Sequence, residues 1–205
     1  MLRAAYELFC EHGYAATTLQ AIAARAGVAV QTLYFTFHTK GAILSEAVGA
    51  CIFGFERWTP LVDPVRAGHA RALRDYHIWW PAFEEAADAA AALALFVDAS
   101  VEIMGRVGPL VVVMAEAAAG DAEVRAVRDI GEQRRVESYR AVVRVLAKKG
   151  GLRRGLGVER ANDILLTLLS GEVYQLLHAG RGWTPAACRR WFRETLSQQL
   201  LGAPG

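Results

Sequence analysis

Lysine is nearly missing from this chain, and cysteine, proline and long apolar runs are scarce. Each scarcity excludes something. The lysines are Lys40, Lys148 and Lys149, arginine is far commoner, and the formal net charge over 205 residues is only +2. There is thus no global basic field. Cys10, Cys51 and Cys188 are far apart, with no Cys-x-x-Cys spacing. That argues against a disulfide framework or a zinc site and for a reducing cytoplasm, with each thiol a small buried hydrophobe. No charged-then-apolar leader opens the chain, and the longest apolar runs, such as residues 89–97, are too short to span a bilayer. The histidines, His12, His38, His69, His77 and His178, form no His-Glu-x-x-His pair, and there is no nucleophile elbow, phosphate loop or complete Gly-x-Gly-x-x-Gly. Glu84 and Glu85 are adjacent, and neighbours in a helix do not share a face. The reading is a soluble cytoplasmic protein that is not an enzyme and carries no metal or cofactor site.

What is present is helix. Hydrophobic residues make up 54% of the chain, enough for a real core. Apolar positions recur at helical spacing throughout, with no run of strand alternation and no internal repeat. The expectation is an all-α protein of about nine helices. Residues 2–12 form the first, ended by Gly13, with Tyr14 as a core aromatic. The fourth runs from the cap Thr39 to about residue 57. Trp58-Thr59-Pro60, Pro64 and Gly68 mark a loop, and residues 66–80 form a short helix. Residues 89–107 and 109–119 read as two apolar helices punctuated by Gly105, Gly108 and Pro109. Residues 122–149 form a long one, about 42 Å at 1.5 Å per residue, with a solvated face at 132–135. Residues 158–178 are apolar around more than half the circumference, and Thr184-Pro185 opens the last helix.

The most specific stretch lies near the start. Thr18 can cap a segment whose Leu19, Ile22 and Ala23 share one face. Ala26-Gly27-Val28 is a turn, because Gly27 permits a positive φ. Leu33 and Phe37 then face inward from the next segment, while Val30, Gln31, Tyr34 and Thr36 face outward. Two short helices joined by such a turn are the helix-turn-helix arrangement of DNA-binding proteins. Across residues 1–50, Arg3, Arg25 and Lys40 balance Glu7, Glu11 and Glu46, a neutrality unusual for a DNA-binding domain.

Phe9, Gly13, Thr17-Thr18, Ile22-Ala23, Ala26-Gly27-Val28, Thr32-Leu33-Tyr34, Phe37 and Lys40 stand in an order and spacing that resembles the DNA-binding domain of TetR-type transcriptional regulators. The match is close over about the first 50 residues and looser beyond. The resemblance implies a DNA-binding domain at residues 1–50 and an all-helical ligand-binding and dimerisation domain at 51–205. In that family the first helix often follows a basic arm, for which Met1-Leu2-Arg3 leaves no room. Lys40, Tyr34 and Thr18 are the expected phosphate contacts and Thr32 can add another. Gln31 is the expected base reader, since a carboxamide can bond adenine N6 and N7 together. Val30 and Thr36 suit a thymine methyl or sugar edge, and Phe35 suits either core or groove wall. Two positions depart from the family pattern: Ala29 replaces the usual hydroxyl residue ahead of the recognition helix, and Gly41 replaces an acidic one.

The resemblance further implies a small-molecule inducer whose binding is coupled to release of an operator. Trp79, Trp80, Phe83, Phe96, Met104, Met114, Tyr139, Tyr174 and His178 can line its pocket or simply pack as core. A pocket so lined takes a largely apolar or aromatic molecule. A helix apolar on two sides needs two partners. Leu165, Leu168, Leu169, Glu172 and Leu176, with Trp191 and Leu196 from the last helix, are the expected contacts of a homodimer. The expected protein is a repressor on a palindromic double-stranded DNA operator, and the alternative is a helical dimer that binds a ligand or protein and has lost its operator.

Overall fold

The computed structural model describes residues 1–56 and 77–202. The predicted loop at 58–68 and most of the predicted helix at 66–80 lie outside the described residues. The elements are α1 (Leu2–Ala16), α2 (Leu19–Ala26), α3 (Val30–Phe37), α4 (Lys40–Phe53), α5 (Trp80–Glu85), α6 (Ala89–Gly120), α7 (Ala122–Lys148), α8 (Val158–Leu168), α9 (Gly171–Gln175) and α10 (Pro185–Leu200). The architecture is all-α, and an isolated bridge between Leu152 and Leu201 is the only β pairing among the described residues.

The chain forms two compact units. One holds residues 1–62 and 106–132, the other residues 63–105 and 133–205. Helices α6 and α7 each contribute to both. In the first unit, α1 packs on α2 and α4, and α3 packs on α2 and α4. The inward positions form its core: Leu8 and Phe9 from α1, Ile22 and Ala23 from α2, Leu33 and Phe37 from α3, Ile43, Leu44 and Ala47 from α4. Burying each large aliphatic or aromatic side chain of this set contributes about 1.5–3 kcal/mol. Helix α1 runs on past Gly13, but that residue breaks its geometry, with φ 77° and ψ 173°.

Two stretches differ from the sequence expectation, each for a local reason. Residues 89–120 form one helix in spite of Pro109. The preceding Gly108 has no Cβ for the proline ring to strike, which removes part of the usual penalty. Residues 158–180 are not one helix. Leu169 leaves helical geometry (φ −93°, ψ 63°), and Ser170 caps α9 by accepting from the Val173 amide at 3.2 Å. The carbonyls loosened near this break find other donors: the Tyr139 hydroxyl on Leu169 O at 3.0 Å and Arg135 on Leu166 O at 3.1 Å. Arg135 is thereby half-buried and not part of a solvated face. After α9 the chain widens into a π-helical turn, Leu176–Gly180. His178 Nδ1 donates to Trp183 O at 2.7 Å and closes the connection to α10, which Thr184 caps.

Candidate nucleic-acid interface

Helices α2 and α3 are built by their own ends. Thr18 Oγ1 accepts from the Ala21 amide at 3.1 Å. Gly27 takes the left-handed conformation (φ 67°, ψ 32°), and its amide and that of Val28 turn back onto Ala24 O and Ala23 O at 3.2 and 3.0 Å. This is a Schellman closure, which satisfies carbonyls the helix would otherwise leave open. Helix α3 starts at Ala29 with no side-chain cap, and His38, at φ 63°, ends it. Leu33 and Phe37 are buried, so the face holding Gln31, Thr32, Tyr34, Phe35 and Thr36 is turned outward, with Val30 half-buried beside it. Phe35 is 86% exposed and Tyr34 51%. The choice left open for Phe35 is resolved against core. Thr36 Oγ1 donates to Thr32 O at 2.7 Å, so its proton is engaged within the helix.

That face carries no charge, and the cations of the unit's first 50 residues are engaged elsewhere. Arg25 bonds Glu7 and Glu11 at 3.1 and 3.2 Å, and Arg3 bonds Glu56 at 2.6 Å. Lys40 Nζ donates to Tyr14 O at 2.8 Å and Thr17 O at 3.1 Å, and lies 4.2 Å from the centre of the Tyr14 ring. Burial holds the Lys40 ammonium below the usual lysine range. Lys40 therefore welds α4 to the α1–α2 turn, with one donor left over for an outside oxygen. Tyr14 stacks on Phe9 with centroids 5.8 Å apart, yet its hydroxyl leaves the core and donates to Asp121 Oδ2 at 3.1 Å. Burial and that carboxylate push the phenol well above its ordinary value. Asp121, at the start of α7, is held below the usual carboxylate range, chiefly by the Val124 amide. Nothing in the sequence signals this contact across 107 positions.

In the second unit, five predicted pocket residues come together. The rings of Trp79 and Trp80 lie 5.5 Å apart, Trp79 and Phe96 5.5 Å, Trp80 and Phe83 5.2 Å, and Phe96 and Tyr139 5.2 Å. Among the described residues the buried indole nitrogens of Trp79 and Trp80 have no hydrogen-bond partner. His77 stands 5.1 Å from the Trp79 ring, and burial lowers its pKa to about 4. Tyr174 and His178 form a separate pair at 5.3 Å, and Met104 is buried in the same core. Met114 belongs to the other unit.

Residues 1–47 match the family described as bacterial regulatory proteins, tetR family. The match to that family is confined to this N-terminal domain. No curated relative matches it. Solved structures similar to the whole chain carry the same fold. The Bacillus subtilis transcriptional regulator FadR, in complex with stearoyl-CoA, is 21% identical over 96% of this chain and 95% of that one, with a TM-score of 0.69. NalD, the secondary repressor of the MexAB-OprM multidrug efflux pump in Pseudomonas aeruginosa, is 20% identical over 100% and 95%, with a TM-score of 0.65. The MbdR regulator from Azoarcus sp. CIB is 22% identical over 98% and 97%, with a TM-score of 0.61.

The expected dimer contacts divide by burial. Leu165, Leu169 and Leu196 are fully buried in the core of their own unit. They have no surface to offer a partner. Leu176, 63% exposed, and Glu172 face outward, with Leu168 and Trp191 half-buried. The period of an apolar helix does not say which of its two apolar sides faces its own core. Beside Trp191 an open hollow of about 490 Å³ is lined by Gly182, Trp183, Thr184, Ala187, Arg190 and Glu194. Among the described residues no helix is long and apolar enough to cross a membrane, and no cluster of His, Cys, Asp or Glu could hold a metal.

Proposed function

We propose that this chain is a TetR-type transcriptional repressor that binds a palindromic DNA operator as a homodimer and is released by a small, largely apolar ligand. On this reading residues 1–50 bind DNA and residues 51–205 bind the ligand and the second copy. The observation that carries the reading is the outward face of α3. Gln31, Thr32, Tyr34 and Phe35 are exposed on a helix held in place by Leu33 and Phe37. A short helix presented in this way fits a major groove, with Gln31 reading adenine and Phe35 packing on a thymine methyl. Thr18, Tyr34 and the spare donor of Lys40 position the phosphates, while Val30, Thr32 and Thr36 border the sugar edge.

A single neutral recognition helix binds weakly. Two of them, about 34–36 Å apart on a two-fold axis, supply the missing affinity through effective concentration. Leu176, Leu168, Glu172 and Trp191 are the part of the expected interface that remains available to a second copy.

The ligand reading rests on the two buried indole donors that have no partner among the described residues. A buried donor without an acceptor costs about 1–3 kcal/mol. A ligand with an apolar body and a carbonyl or ether oxygen would satisfy them among Phe83, Phe96 and Tyr139. The stearoyl-CoA held by the similar FadR has an apolar body of that kind.

The test is binding of the purified protein to DNA from its own upstream region, with a salt titration. Specific binding that weakens steeply with salt, is lost in Gln31→Ala and Phe35→Ala, and falls on addition of an apolar ligand supports the repressor. No specific binding at any salt concentration overturns it and favours a dimeric binding module, which the uncharged α3 face and its engaged cations would then explain.

A further inference from the structure

Gly41 has no side chain, and the structure shows what takes its space. A Cβ built on Gly41 would lie 2.8 Å from Glu123 Cδ and 3.0 and 3.1 Å from the two carboxylate oxygens. Glu123 sits in the first turn of α7, 82 positions away, in the same compact unit. Its carboxylate accepts a hydrogen bond from Thr39 Oγ1. That same oxygen accepts from the Ala42 amide at 3.0 Å and so caps α4. Two residues before Glu123, Asp121 Oδ2 receives the Tyr14 hydroxyl, and Lys40, next to Thr39, is bonded to Tyr14 O and Thr17 O. The contacts close a ring: Thr39 to Glu123, Asp121 to Tyr14, and Tyr14 back to Lys40.

The geometry points to Glu123 as a positioning residue for the recognition helix. Its carboxylate fills the room left by Gly41, fixes the hydroxyl that caps α4, and with Asp121 clasps the start of α7 to the helix-turn-helix. An acidic group from a distant helix thus sits over the start of α4, and it acts on the neighbouring α3 through that start. The clasp stands on contacts within one unit, and only its effect on operator affinity rests on the function proposed above.

The test reads amide hydrogen exchange at Ala42 in the full-length protein, without DNA. Glu123→Ala should speed exchange about five- to tenfold, the scale of a weakened N-cap. Glu123→Gln keeps an acceptor for Thr39 and should stay within about twofold of wild type. Gly41→Ala decides between causes. Alanine is the better helix former, so propensity alone predicts slower exchange, whereas a clasp predicts faster exchange because the methyl displaces Glu123. In Glu123→Ala there is nothing to displace, and adding Gly41→Ala should slow exchange. This reversal of sign is a coupling between the two positions. Unchanged exchange in Glu123→Ala, or slower exchange in Gly41→Ala alone, would overturn the clasp. If wild type binds an operator, affinity should follow the same order across the variants. If wild type binds none, the exchange data still decide.

Discussion

Replacing Gly13 and Gly27 by alanine isolates the backbone contribution to the helix-turn-helix, because nothing lies within 4 Å of a Cβ at either position. No steric contact enters the comparison. Gly27 is in the left-handed helical well, φ 67° and ψ 32°, which costs an L-residue about 1–2 kcal/mol. Alanine recovers roughly 0.4–1 kcal/mol by restricting the unfolded chain, so Gly27→Ala should destabilise by about 1 kcal/mol. Asparagine tolerates this well, and Gly27→Asn should cost about half as much. Gly13, at φ 77° and ψ 173°, lies in a region open essentially to glycine alone. Gly13→Ala should therefore cost about 2–3 kcal/mol, near the upper end for a strained residue. The assay is equilibrium urea unfolding followed by circular dichroism, with thermal melting as a second measure. For a chain of this length each kcal/mol moves Tm by about 2–4 °C. A Gly13→Ala variant as stable as Gly27→Ala, or Gly27→Asn below Gly27→Ala, would refute the assignment of these costs to φ and ψ.

Phe35→Ser should leave unfolding within about 0.5 kcal/mol of wild type, because the ring is 86% exposed, while weakening operator binding in a mobility-shift assay. Gly151→Ala would place its Cβ 1.9 Å from that of Ala89 and should destabilise by about 3 kcal/mol, and Ala89→Gly should restore most of the loss in a double-mutant melt. His77 binds its proton with a pKa of about 4 when folded and near 6.5 when unfolded. Between those values the unfolded state holds more protons, so stability should fall as pH drops from about 6.5 to 4, by up to roughly 3 kcal/mol. His77→Phe should flatten that part of the profile in urea titrations at a series of pH values, and an unchanged slope would exclude His77 as its source.

Much of the local structure was legible because the relevant interactions span three or four residues. Thr18, Thr39 and Thr184 each bond the amide three positions on, and Gly27 closes its helix on Ala23 and Ala24. The inward set of Leu33 and Phe37 follows from one turn of helix. The same periodicity misled in two places. Pro109 reads as a break but is tolerated behind Gly108, and residues 158–178 read as one helix although Ser170 restarts it. Tyr14 was expected as a core aromatic, and half of it is: the ring stacks on Phe9 while the hydroxyl reaches Asp121.

By itself, then, the amino-acid sequence determined the all-α class, the helix-turn-helix, its caps and the likeness of its first 47 residues to the tetR family, since each depends on local spacing or on a motif confined to that stretch. Tertiary structure alone decided which side of an apolar helix is spent on its own core, leaving Leu176 outside and Leu165 within. It also decided where the few charges go, engaging Lys40 on two carbonyls and setting Glu123 over Gly41. The reason is one of range. A hydrogen bond between Thr39 and Glu123 joins positions 84 apart, and no periodicity in a chain records which distant turn will fold against it.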